Sequence, residues 1–221
     1  MANTTLILDF LKKLKKNNTR EWVVENQAAY KEARAEFTGL AQEILVKLQQ
    51  NFEGFENLQA KDCIFRQNRD VRFSPDKTPY TTWMSAWFSP GGKKAPEAGY
   101  YFRIEPENKS VLGAGHYMPP LDQLKKIRQE IDYNAVELKQ LVDNADFKNE
   151  FGLIQGEKLK RAPKGYEPHH PQIELLKLKN FIVMKKLKDK EISQGQQLAE
   201  DIFKAYRIAE PFVEYLNVAV S

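Results

Sequence analysis

The sequence predicts an α+β fold: a central antiparallel sheet, helices packed mainly on one face of it, and helical segments at both ends. Three observations carry this expectation. Apolar residues recur at spacings of three and four as far as Phe52; the runs between Lys61 and Met118 are short, aromatic or β-branched, and cut by Pro and Gly; helical spacing returns after Pro119 and Pro120. Parallel strands would need a crossover helix after each one, so strands gathered in mid-chain pair antiparallel.

Taken in order, Leu6, Ile7, Phe10, Leu11 and Leu14 form a helical stripe, capped near Thr4 or Thr5 and ended by Asn17 and Asn18. From Gln27 to Phe52, Tyr30, Ala33, Phe37, Leu40, Ile44, Leu48 and Phe52 line one face of a long amphipathic helix. Strands are predicted at Cys63–Phe65, Trp83–Phe88, Tyr100–Glu105 and Ser110–Tyr117. The loop SPGGKKAPEAG between the second and third of these is expected to be the most mobile segment. Trp83 and Trp87 share strand parity and are expected in the core; Gly113 and Gly115 mark a bulge or a close backbone approach. Pro119 and Pro120 suit the start of a helix carrying Leu121, Leu124, Ile127, Arg128 and Ile131. Phe181–Leu187 reads as a late strand, Leu198, Ile202, Phe203 and Tyr206 as a helix, and a further helix begins at Pro211.

At 221 residues the chain suits a single domain, 1–221, with a helical part over 4–52, a sheet-rich middle over 61–118 and a mixed remainder over 119–221. No apolar run approaches the roughly 20 residues that span a bilayer, so no membrane partner is expected. The lysines of MANTTLILDFLKKLKK follow its apolar patch, the reverse of a secretory signal. Cys63 is the single cysteine, which excludes an internal disulfide and fits a cytoplasmic location. The net charge of +4 is uneven: residues 155–190 hold ten Lys or Arg against four Asp or Glu. That balance allows phosphate-bearing partners but falls short of a dedicated nucleic-acid domain.

The most telling stretch is KDCIFRQNRDVRFSPDKTPYTT, which sets Arg66, Arg69 and Arg72 three apart with Asp70 among them. Guanidinium groups repel one another unless an anion or a carboxylate lies between them, and their rigid forks of donors match carboxylate and phosphate. In an extended chain Arg66 and Arg72 share a face and Arg69 points away, whereas a helical turn gathers all three. Ser74 before Pro75 resembles a helix start with free N–H groups for an anion, and Lys77 and Tyr80 lie close by. The alternative is a salt-bridge network in which Asp62, Asp70 and Asp76 neutralise the cations and fix the loop.

A second basic stretch, GEKLKRAPKGYEPHHP, places Arg161, Lys164 and His170 among turn-forming residues beside Tyr166, while Lys158 and Lys160 read as a solvated face. Cations interleaved with an aromatic suit a nucleotide. No metal and no cofactor is expected. His116, His169 and His170 are the only histidines and lack ligand spacing, and the chain has no phosphate-loop, dinucleotide or nucleophile-elbow motif. Asp62 beside Cys63 would raise its thiol pKa, so Cys63 reads as a small buried hydrophobe.

With these residues in view the chain resembles the family known as domain of unknown function 2461 over nearly its whole length. The likeness rests on Asn18, Arg20, Glu21, Trp22, Asn26 and Tyr30, and on Phe65, Arg66, Arg69, Asp70, Arg72, Phe73, Ser74, Asp76, Lys77, Pro79 and Tyr80. It continues through Gly99, Tyr100, Tyr101, Gly113, Gly115, Pro119, Leu124 and Arg128 to Leu159, Lys160, Arg161, Pro163, Lys164, Gly165, Tyr166, His170 and Pro171. Thr81 stands where such proteins usually carry lysine, and Val23 where an aromatic usually follows the tryptophan. The resemblance implies a soluble single-domain protein and brings no activity, cofactor or catalytic residue. It puts both basic loops into one recurring pattern, from which a common surface is expected.

The first functional expectation is therefore a pocket for a small anionic, phosphorylated metabolite, lined by Arg66, Arg69, Arg72, Lys77 and Tyr80 with Arg161, Lys164 and His170. Whether chemistry occurs is open; if it does, Asp70 or His170 is the candidate proton carrier. The alternatives are a nucleic-acid-binding module using the same loops, and a partner-binding scaffold whose charged loops are purely structural.

Overall fold

The computed structural model describes residues 2–195 and 197–221. Among them it contains four strands in one antiparallel sheet, ordered β1-β2-β3-β4, with helices before and after. By internal contacts the chain falls into two compact units, each assembled from three stretches: Met1–Lys93, Tyr101–Leu112 and Lys186–Phe203 in the first, and Lys94–Tyr100, Gly113–Lys185 and Lys204–Ser221 in the second.

In the first unit α1 (Thr4–Lys16) begins where Asn3, not Thr4 or Thr5, accepts the Leu6 amide at 3.1 Å. Its buried Ile7, Leu8, Leu11 and Leu14 face the long helix α3 (Gln27–Asn51), whose stripe of Ala33, Phe37, Leu40, Ile44 and Leu48 is also buried. Between them lies α2 (Arg20–Glu25), a short helix the sequence pattern did not announce, capped by Thr19. Trp22 and Tyr30 pack on Phe10 at centroid distances of 6.0 and 5.8 Å, which anchors this entry to the core. Val23, which stands where the resemblance leads one to expect an aromatic, is buried.

Cys63–Phe65 is not a strand. Ala60–Cys63 winds into one turn, α4, and only Ile64 pairs, in a single bridge to Ala86 of β1 (Met84–Phe88). Three residues of which the first still belongs to a helical turn are too few to propagate a ladder. Trp83 and Trp87 are half-buried rather than core, and Trp83 lies under the Arg103 guanidinium at 5.4 Å. Strands β2 (Gly99–Ile104) and β3 (Ser110–His116) are joined by a turn in which Glu107 and Asn108 both take positive φ, of 67° and 58°. That conformation is costly for Glu, and the Asp189 carboxylate, at the start of the short helix α8 (Asp189–Ile192), holds it by accepting both amides at 3.2 and 2.8 Å.

In the second unit α5 (Leu121–Asp143), broken at Asn134, buries Leu124, Ile127, Ile131 and Leu138. The short helices α6 (Ala145–Phe151) and α7 (Ile173–Leu176) lead to β4 (Phe181–Leu187). Gly113 and Gly115 permit a close approach of β3 to β4: a Cβ on Gly115 would lie 2.1 Å from the Phe181 carbonyl oxygen. The last helix, α9 (Leu198–Val220), runs unbroken through Pro211, where the sequence suggested a new start. Proline removes one backbone bond, but Tyr206, Ala209, Phe212 and Leu216 continue one buried stripe across it, and that burial outweighs the loss. The loop expected to be mobile is tied at several points: Lys93 donates to the Ile64 carbonyl at 3.0 Å in the first unit, and Asn217 accepts the Ala98 amide at 2.8 Å in the second.

Candidate functional site

The first basic stretch is a hairpin pinned by backbone pairing. Asn68 and Tyr80 form an antiparallel bridge, the Arg69 amide donates to the Pro79 carbonyl at 2.9 Å and the Thr81 amide to the Gln67 carbonyl at 2.8 Å. Asn18 completes the register like a missing strand: its amide group donates to the Tyr80 carbonyl at 2.8 Å and accepts the Tyr80 N–H at 3.2 Å. Gln67 points inward and is buried, so alternation turns Arg66 and Asn68 outward. Thr81 turns its hydroxyl to the Trp83 carbonyl, where a lysine would have offered charge.

Inside this frame the arginines have separate roles. Arg69 reaches across the hairpin to the Asp76 carboxylate at 2.6 Å, the Thr78 carbonyl at 3.1 Å and the Thr78 hydroxyl. Asp76 in turn accepts the Thr78 amide at 2.9 Å; that amide first, and Arg69 next, bring its carboxyl down to about 2. Arg72 grips Asp70 with two parallel donors at 3.0 and 2.7 Å, and Asp70 also accepts the Arg72 amide. Arg72 holds the Asp70 carboxyl below the usual carboxylate range, with Arg66 adding a weaker pull. Lys77 closes the tip by donating to the Val71 and Arg72 carbonyls at 3.0 and 3.4 Å. Ser74 and Pro75 lie in irregular chain and start no helix, because these bonds already commit the tip's backbone to a loop.

After this pairing Arg66 and Lys77 have no carboxylate partner among the described residues, and both are exposed. Phe73, at the tip, is 94% exposed, with the Arg72 guanidinium 5.8 Å from its ring centroid.

The second basic stretch lies in the other unit. Its start pairs with the beginning of β4 and the chain before it through bridges Gln155 to Ile182 and Lys158 to Leu178, and Gly156 is required there because a Cβ would meet the Asn180 carbonyl at 2.2 Å. Lys158 and Lys177 share Glu174, and Lys179 takes Glu157, whereas Lys160, Arg161 and Lys164 have no carboxylate partner among the described residues. His170 is fixed at both ring nitrogens: Nε2 lies 2.9 Å from Asp132 Oδ1, and Nδ1 accepts the Gln172 amide at 3.1 Å. An amide donor at Nδ1 places the ring proton on Nε2, shared with Asp132. Tyr166 packs edge-on against His170, and burial raises its pKa, with Asp132 adding to the rise. Arg128 turns inward to the Leu176 and Leu178 carbonyls and so braces the loop from α5.

Elsewhere, burial holds the Cys63 thiol up at about 11, with Asp62 the next cause. His116 is buried against Gln123 at 2.9 Å, and burial lowers its pKa. Among the described residues no group of three or more His, Cys, Asp or Glu is placed to hold a metal ion. An open concavity of about 550 Å³ in the first unit is lined by Gln42, Glu43, Val46, Lys47 and Glu200 among others, none of them a residue singled out from the sequence. Asn18, Thr78 and Asp132 organise the two loops and were missed as partners, because each lies too far along the chain, or is too ordinary a residue type, to signal its contact.

The family model described as Conserved hypothetical protein (DUF2461) matches residues 6–215, and the chain belongs to that family. No curated protein and no solved structure matches it. Among the described residues no helix is long and apolar enough to cross a membrane.

Proposed function

We propose that this member of the DUF2461 family is a binding protein for anionic, phosphorylated ligands, with the hairpin of the first unit as its principal contact. One observation carries the reading: Asp76 and Asp70 pair with Arg69 and Arg72, and among the described residues Arg66 and Lys77 are left without an ion pair on a hairpin fixed by its own bonds. Such preorganisation lowers the ordering cost of binding. Arg66, Lys77 and the outer edge of Arg72 contact the anion and Tyr80 borders them, while Arg69 positions the hairpin. In the second unit Arg161 and Lys164, which have no carboxylate partner among the described residues, offer a further anion contact.

Binding rather than proton transfer fits these groups. Asp70 is both paired and held acidic, a poor base near neutral pH, and neither ring nitrogen of His170 is open to a substrate. The test is thermal denaturation with pyrophosphate and a panel of phosphorylated metabolites. At a hundredfold excess over Kd a ligand of the native state adds about 2.7 kcal/mol, equivalent to a rise in Tm of about 5 to 10 °C for a chain of this size. The substitution R66A removes most of that rise and leaves the unliganded Tm in place. R69A behaves differently, lowering the unliganded Tm because it removes the bonds that tie the two sides of the hairpin through Asp76 and Thr78. If no anion raises Tm, and R69A is the only change with an effect, the hairpin is structural bracing and the binding reading fails.

A further inference from the structure

We propose that the tip of this hairpin is a contact for single-stranded nucleic acid, with a base stacked on Phe73 and the flanking phosphates taken by Arg66, Arg72 and Lys77; the proposal rests on the anion-binding reading and names its ligand class. Phe73 is the least buried large apolar side chain of the described residues, at 94% exposure. Leaving a phenyl ring in water forgoes the stabilisation that burial gives, and the fold offers it no cover. The ring is nevertheless presented by a built tip: Lys77 bridges to the carbonyls of Val71 and Arg72, Asp70 clamps Arg72 at two atoms, and Arg72 lies 5.8 Å from the ring.

An isolated inorganic anion would use the cations and ignore the ring, whereas a nucleotide uses both, because every base has a flat face and every linkage a charge. Phe73 projects from the tip instead of lining a hollow. Free small ligands have most of their surface enclosed by their sites, so a strand that gathers contacts one nucleotide at a time suits a projecting ring better. Bases in a duplex are already stacked on one another, which favours the single strand. An anionic bilayer would also attract the cations. Drawing Phe73 into its apolar boundary, however, would drag the stacked Arg72 guanidinium out of water, while stacking on a base leaves that group at phosphate level.

The experiment is fluorescence anisotropy of the full chain with labelled oligo-dT and oligo-U of about 12 nucleotides, alongside the matching duplex, vesicles of phosphatidylcholine and phosphatidylserine, and pyrophosphate as competitor. The expected result is binding of the single strands in preference to the duplex. Phe73→Ala weakens strand binding about 5- to 150-fold, Phe73→Trp restores it, and neither alters Tm. Lys77→Gln and Arg66→Gln each flatten the slope of log affinity against log salt by about 0.7 and weaken pyrophosphate as well. If pyrophosphate binds and Arg66→Gln weakens it, but strands do not bind or Phe73→Ala leaves them unchanged, the nucleic-acid proposal is overturned and the anion reading stands. Equal duplex affinity, or vesicle binding that depends on Phe73 without strand binding, also overturns it. Failure of pyrophosphate and strands together removes both.

Discussion

Asp76 shows at the scale of one residue how the hairpin holds its shape. Its carboxyl sits at about 2 against an ordinary value of 3.8, held first by the Thr78 amide and then by Arg69. A folded-state value below the unfolded one means that the unfolded chain takes up the proton first as pH falls. The contribution of Asp76 is therefore complete above about pH 4 and is lost as the pH falls toward 2. The expected outcome, followed by NMR, is that the Thr78 amide and the Arg69 side-chain resonances of the folded protein shift together with a midpoint near pH 2. In D76N the pH-dependent shift disappears and the Thr78 amide exchanges faster at neutral pH. Movement centred near pH 6 would contradict the assignment. The sequence made the acids and bases of this network visible, since Asp70 and Asp76 stand among the arginines. It did not show which acid meets which base. That pairing follows from the Asn68 to Tyr80 register, fixed in part by Asn18 from 62 positions away.

At the scale of elements, strand β3 has least freedom to vary where it has no side chain. Gly115 takes a φ of +122°, and a Cβ there would press on the Phe181 carbonyl oxygen, a backbone atom of β4 that cannot swing aside. Gly115→Ala is expected to destabilise the protein by about 3 kcal/mol or more, read from the midpoint of urea denaturation, because strain and overpacking act together. Gly39, with nothing near its Cβ position and a place inside α3, is the contrasting control: Gly39→Ala is expected to be stabilising by about 0.5–1 kcal/mol. The long helices and the later strands were legible because their apolar spacing runs over many residues, as in Phe37, Leu40, Ile44 and Leu48 or in Phe181–Leu187. The failures are equally physical. Local proline chemistry at Pro211 yielded to burial of Phe212 and Leu216, and the turn at Ala60–Cys63 took Cys63, the first residue of the run expected as a strand.

At the scale of the molecule, the division into two units follows no compositional boundary. Strands β2, β3 and β4 and helix α9 each pass from one unit to the other along the chain, and of the crossings only the one at Lys93 and Lys94 falls in a Pro- and Gly-rich loop, so the sequence alone read as one domain. The single cysteine gives a way to follow the stability of the first unit. Cys63 is fully buried, and its thiol is held at about 11 by burial, against an ordinary 9.0. The thiolate is the reactive form, so at pH 8 about one thiol in a thousand is ionised in the native state and about one in ten in the unfolded chain. Ionisation alone makes native labelling by a disulfide-exchange reagent about a hundredfold slower, and burial slows it further by requiring an opening event. Labelling is expected to accelerate with urea along the curve that tracks loss of helix. R69A, which loosens the hairpin beyond Ile64, is expected to speed it at low urea only if the openings that expose Cys63 include that hairpin. Native labelling within tenfold of the unfolded rate would show that Cys63 is reached without unfolding, and would overturn the view of it as a packed hydrophobe.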